Sequence, residues 1–115
     1  MNRFILCVDD DPTIGHFLSR LLDNVDGDLV LHVVNNADAL PAISVRRPDL
    51  IVSDIVHMGP SGIELFTDLR ADPKTGSIPF VFVSGQITRD PDLELRLFRE
   101  GAEGVFSRRF RVPRG

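Results

Sequence analysis

The stretch Phe4-Ile5-Leu6-Cys7-Val8-Asp9-Asp10-Asp11-Pro12 runs five apolar residues straight into three consecutive carboxylates. A short apolar run that ends on an acidic cluster and a proline reads as a buried strand stopping at a polar rim. Adjacent carboxylates raise the cost of ionising one another, so either a cation sits among them or they cap a helix. Asp11 has the capping signature, an N-cap aspartate with proline at the first helical position. Asp9 and Asp10 either favour the positive end of that helix or face a cation.

Four more apolar runs follow: LVLHVV (29–34), LIVSDIV (50–56), FVFVSG (80–85) and GVF (104–106). Each is short, rich in β-branched or aromatic residues, and bounded by Asp, Gly or Pro, which predicts strands. Helical spacing lies between them. Ile14, Phe17, Leu18, Leu21 and Leu22 form the first helical pattern, and Ala37–Val45 the second, with Asn35 or Asn36 at its start. Ser61–Ala71 and Pro91–Glu100 form two more, the last closing at Gly101. Alternating strands and helices with short connections imply a parallel sheet covered on both faces. Right-handed crossovers make this an α/β, doubly wound, five-stranded parallel sheet of flavodoxin-like order 2-1-3-4-5. Residues 107–115 contain Pro113 and no helical period, so the fifth helix of such a fold is expected to be missing or truncated. Part of the sheet face beside the first helix should then be uncovered.

The bulk properties set the class. A chain of 115 residues, 43% apolar and 26% charged, is one domain, 1–115, able to bury a core unaided. No apolar run approaches the roughly 20 residues of a membrane helix, and no signal peptide opens the chain. A single cysteine, Cys7, excludes an internal disulfide, fits a reducing cytoplasm, and reads as a small buried hydrophobe. The net charge of −4 argues against direct nucleic-acid binding, and Arg108-Arg109-Phe110-Arg111 reads as a solvated tail.

In a doubly wound sheet, ligands bind beyond the carboxyl ends of the strands where strand order reverses. That rule joins Asp9-Asp10-Asp11, at the end of the first strand, to Ser53-Asp54, at the end of the third. Ser84-Gly85 after the fourth strand adds a hydroxyl, and Ser107-Arg108 after the fifth adds a cation. Carboxylates, a hydroxyl and a guanidinium at one rim are the parts of a site for Mg²⁺ and a phosphoryl group.

With these residues in view, the chain resembles the receiver domains of two-component response regulators over residues 3 to 111. The likeness rests on VDDDP, on DLIVSD ending in Asp54, and on Gly62 eight residues later. PFVFVSG, with Ser84 thirty residues past Asp54, and GAEGVFSRRF complete it. The resemblance implies Asp54 as phosphoacceptor and Asp9, Asp10, Asp54 and the Val56 carbonyl as ligands of Mg²⁺. It implies Ser84 as the switch hydroxyl and Arg108 as the anchoring cation. Phosphorylation would shift the face formed by the 91–100 helix and the last strand. Such a domain is no enzyme beyond catalysing its own phosphoryl transfer and autodephosphorylation. Its partners would be a sensor histidine kinase or phosphotransfer protein and a downstream protein or covalently linked output domain, with no membrane and no direct nucleic acid. A homodimer is a further partner to test.

Three departures from the family pattern bear on this. Arg108-Arg109 stands where receivers carry Lys-Pro, and a planar guanidinium is not an ammonium. Val105 occupies the aromatic switch position, with Phe106 pointing to the opposite face. His57-Met58 replaces the Met-Pro that follows the phosphoacceptor. These leave open a pseudo-receiver, an interaction module not regulated by phosphorylation. Asp9, Asp11 and Thr13 also match the D-x-D-x-T signature of haloacid-dehalogenase-like phosphatases, although Lys74 lies in a turn and no later acidic pair follows.

Overall fold

The computed structural model describes residues 3–11, 13, 16, 20, 29–55, 61–84 and 91–107. In chain order the elements are β1 (Phe4–Val8), β2 (Leu29–Val33), α1 (Asn36–Val45), β3 (Leu50–Asp54), α2 (Gly62–Ala71), β4 (Phe80–Ser84), α3 (Pro91–Arg99) and β5 (Gly104–Ser107). The first helical pattern and the segment after Ser107 lie outside the described residues, apart from Thr13, His16 and Arg20, which are helical and exposed.

All five strands are parallel, in the order β2-β1-β3-β4-β5. Sequence-predicted and observed strands agree, β2 and β3 ending earlier, at Val33 and Asp54. Continuous apolar strands suit this arrangement because a parallel sheet is covered on both faces. Every residue of β1 is buried, and it runs beside β2 and β3.

Strand alternation sorts the side chains onto two faces. One face gathers Phe4, Leu6, Val8, Ile51, Phe80 and Phe82 against Ala39 and Ile43 of α1, Leu65, Phe66 and Leu69 of α2, and Leu97 of α3. At its centre Phe66, Phe80 and Phe82 stack pairwise with ring centroids 5.1, 5.3 and 4.8 Å apart. Each such aromatic pair contributes about 0.5–1.5 kcal/mol beyond its buried area. The other face carries Ile5, Cys7, Val52 and Val83, all buried, so the middle of the sheet is covered there too. Exposure on that face falls at the edge, where Phe106 of β5 is 60% exposed.

Helix ends follow the local chemistry. Asn35 caps α1, its side-chain oxygen accepting from Asp38 N–H at 2.9 Å, and the helix starts at Asn36 rather than Ala37. Ser61 caps α2 through Glu64 N–H. α3 ends in a left-handed residue, Gly101 at φ 106°. Gly101 N–H bonds Phe98 O at 3.1 Å and Ala102 N–H bonds Leu97 O at 2.9 Å, which satisfies the last carbonyls and turns the chain into β5. Pro41 lies inside α1 and removes one of its backbone bonds. That helix depends on its packing.

Candidate functional site

The register of β1 and β3 builds the site. Val8 pairs with Ser53, so the next residue on each strand, Asp9 and Asp54, emerge side by side at the carboxyl edge of the sheet. With Asp10 they form a group whose carboxylate oxygens lie within 4.8 Å of one another. Asp9 is 1% and Asp54 7% exposed, while Asp10 faces solvent. Two buried carboxylates and a third at the surface are costly together unless hydrogen bonds or a cation offset them.

Hydrogen bonds hold Asp9 on three sides. Its N–H donates to Val33 O at 3.0 Å, and its Oδ1 accepts from Asp11 N–H at 2.8 Å. Its carbonyl oxygen accepts from His32 Nε2 at 2.7 Å. His32 reads in the sequence only as a polar residue inside an apolar strand. The structure makes it a clamp between β2 and the acidic turn. Burial first, and then the nearby His16, push its pKa below the ordinary value, which favours the neutral ring.

Asp54 is fixed from behind. Ser53 Oγ donates to the Asp54 carbonyl oxygen at 2.9 Å, and Gly62 N–H donates to Ile55 O at 3.1 Å. α2 therefore begins directly against the end of β3. A Cβ on Gly62 would overlap the Asp54 carbonyl oxygen and come within 2.5 Å of Ser53 Oγ. The glycine eight residues past Asp54 thus has a steric cause. Asn36, which the sequence offers only as a candidate helix start, is buried and donates through Nδ2 to Ser61 O at 3.1 Å, tying the start of α1 to the cap of α2.

Asp11 does the capping job expected of it. Its Oδ1 accepts from Thr13 N–H at 2.9 Å, and bonds from the Thr13 backbone and hydroxyl hold its carboxyl below the usual range. This accounts for the D-x-D-x-T match, since Asp11 and Thr13 are joined as cap and first turn. Lys74 lies exposed in the turn before β4, beside the amino ends of the strands and away from the acids.

Ser84 closes β4 one residue beyond Val83, the partner of Asp54, and pairs with Ser107 at the end of β5. The backbone thus brings Asp9, Asp10, Asp54 and Ser84 to one edge. Val56, His57, Gly85 and Arg108 lie outside the described residues. Val105 packs, partly buried, against the larger core, and Phe106 points to the other face, as the alternation predicts.

The donor set is all oxygen: three carboxylates with no sulfur or imidazole among them. Oxygen donors and concentrated negative charge suit a hard divalent cation such as Mg²⁺. The residues present fit that ion.

Comparison with known proteins agrees with this geometry. The family described as the response regulator receiver domain matches residues 5–114. Protein PilH of Pseudomonas aeruginosa is 32% identical over 90 residues, covering 78% of this chain and 71% of its own. The DNA-binding response regulator MtrA of Mycolicibacterium smegmatis is 32% identical over 111 residues, 96% of this chain but 46% of its own. The chain therefore spans about half the length of that relative. A crystal structure described as a putative response regulator from Chloroflexus aurantiacus superposes with a TM-score of 0.82 at 26% identity, covering 96% of this chain and 88% of that one.

Proposed function

The chain belongs to the response regulator receiver domain family, and from that premise we propose that it takes a phosphoryl group onto Asp54 in the presence of Mg²⁺. The observation that carries the reading is the meeting of Asp9, Asp10 and Asp54 within 4.8 Å at the switch point of the sheet. Asp9, Asp10 and Asp54 would hold the metal, with the Val56 carbonyl as a further ligand. Bound Mg²⁺ would supply positive charge toward the phosphoryl oxygens.

The chain's own residues do the rest. An Asp54 carboxylate oxygen attacks phosphorus in line as the bond to the donor breaks, leaving an acyl phosphate on Asp54. The Ser84 hydroxyl and the Arg108 guanidinium hold phosphoryl oxygens. Hydrolysis of the acyl phosphate returns the carboxylate, so the domain resets itself without being an enzyme toward another substrate. The new charge draws Ser84 and its loop inward and shifts the α3-β5 face between two populations.

The phosphoryl donor is a sensor histidine kinase or phosphotransfer protein. The reader is a downstream protein or a covalently linked output domain, with no direct nucleic-acid contact by this domain. A cytoplasmic site of action follows from that pairing, and no helix among the described residues is long and apolar enough to cross a membrane.

Acetyl phosphate with Mg²⁺, read by intact mass, is the test. The unaltered chain gains one phosphoryl group, and Asp54→Asn gains none. The pseudo-receiver reading draws on the aliphatic Val105 at the switch position, packed on the core with Phe106 turned away. It predicts uptake at Asp54 without amide NMR shifts along α3 and β5, or no uptake at all.

A further inference from the structure

Strand β2 is the edge of the sheet, and among the described residues no strand pairs with its outer side. Exposed edges are normally blunted by charge, proline or a bulge. Leu29-Val30-Leu31-His32-Val33 has none of these, and Leu29 and Leu31 are 50% and 40% exposed. α1 lies over β1 and β2, and its outer side sets the apolar Leu40, Pro41 and Val45 among Asp38 and Ser44. Ala39 and Ile43 enter the core, while Pro41 and Val45 face out, Val45 at 88% exposure. Between helix and strand runs an apolar cleft of about 420 Å³ lined by Phe4, Leu29, Leu31, Pro41, Ala42 and Val45.

We infer that this edge is the seat of a second copy of the chain, joined antiparallel through β2 about a two-fold axis near Leu31. The charges favour a copy over another partner, because the surface is its own complement when reversed. Asp38 lies in the first turn of α1 and Arg46 at its C-cap, so they mark opposite ends of one exposed stripe running Asp38, Pro41, Val45. Turned end for end, each copy sets its Asp38 against the Arg46 end of the other. Arg46 is held there over the Phe4 ring, 5.4 Å from its centroid.

The spacing also fits. Antiparallel pairing about Leu31 sets Leu29 opposite Val33 and keeps both α1 helices on one face of a continuous ten-stranded sheet. Strands lie about 4.8 Å apart, so helices seated over the β1–β2 seam on each side of the axis would be about 10 Å apart. That is the distance at which helices pack. Pro41, near the centre of α1, lines the same cleft as Leu31, so an axis at Leu31 passes near the middle of the helix as well as of the strand.

Sedimentation of the chain in EDTA, over a range of micromolar concentrations, tests this apart from phosphorylation. A reversible dimer is expected. Leu31→Lys should weaken it at least tenfold, and so should Val45→Lys, an exposed change that cannot disturb the core. Asp38→Arg and Arg46→Asp should each weaken it, and the two together should restore it. Phe98→Lys, on exposed α3, should leave it unchanged. A monomer at every concentration would overturn the inference. So would a dimer that survives Val45→Lys or is lost on Phe106→Lys instead, or failure of the double charge reversal to restore association.

Discussion

His32 on the edge strand holds the backbone of Asp9: its Nε2 donates to the Asp9 carbonyl oxygen at 2.7 Å. A carbonyl only accepts, so the hydrogen resides on Nε2. The peptide joining Asp9 to Asp10 is planar and turns as a unit, so this bond also sets the direction in which Asp10 leaves the strand. Two of the three clustered carboxylates thus depend on one imidazole.

Substitutions at His32 separate this role from simple packing. Gln places an amide donor near the Nε2 position, Asn places one near Nδ1, and Leu offers none. Calorimetric Mg²⁺ titration should find His32→Gln close to the unaltered chain, with His32→Asn and His32→Leu on the order of tenfold weaker. Equal affinity in all four proteins would mean that the Val33 and Asp11 bonds suffice to hold Asp9.

Asp11 should behave as a cap and not as a ligand. Asp11→Asn keeps a good N-cap and should melt near the unaltered chain at neutral pH, while Asp11→Ala should melt lower. Neither should change Mg²⁺ affinity. The folded pKa of Asp11 is depressed by Thr13, so the stabilisation from its charge is present above its ordinary value of 3.8. It is lost as pH falls through the lower folded value. Thermal melts against pH check this: the gap between Asp11 and its Ala variant should be widest above that value and narrow in acid.

How far the sequence carried the reading follows from what sequence patterns encode. Alternation and burial are periodic, so the five strands, their order and the split between Val105 and Phe106 could be read directly. The meeting of Asp9 and Asp54 was legible because topology alone places both strand ends at the switch point. The His32 bond was not legible, because it joins a side chain on β2 to a carbonyl beyond the end of β1, across 23 positions and outside any period. Pro41 inside α1 ran against propensity, and packing of Ala39 and Ile43 on the core overrode it. Gly62 was noticed for its spacing, but its cause, the absence of room against Asp54, exists only in three dimensions.

Gly62→Ala should disturb the site and the fold together. The added methyl meets the Asp54 carbonyl oxygen and Ser53 Oγ, and neither belongs to a flexible chain end. Helix propensity favours alanine by about 1 kcal/mol, so a surface glycine would be stabilised by this change. Here the start of α2 must move off β3 instead. Urea unfolding should give a net loss of about 1–3 kcal/mol, and Mg²⁺ affinity should fall with it. A more stable variant would show that the close approach relaxes freely.

Crowding of Asp9, Asp10 and Asp54 makes the sign of one further substitution depend on metal. Asp54→Asn keeps the shape of the side chain, replaces one of its two acceptor oxygens by a donor NH2, and removes one of three carboxylates within 4.8 Å. In EDTA the variant should be more stable on the order of 1 kcal/mol, roughly 3–6 °C for a domain of this size. Mg²⁺ reverses the order. A ligand at a hundred times its dissociation constant stabilises the folded state by about 2.7 kcal/mol, and the unaltered chain binds Mg²⁺ with its full set of carboxylates. Melting curves in EDTA and in excess Mg²⁺ should therefore cross, the variant higher in the first and the unaltered chain higher in the second. A variant already less stable in EDTA would mean that hydrogen bonds made by Asp54 outweigh its repulsion from Asp9 and Asp10, and that the cluster is held by structure before any cation arrives.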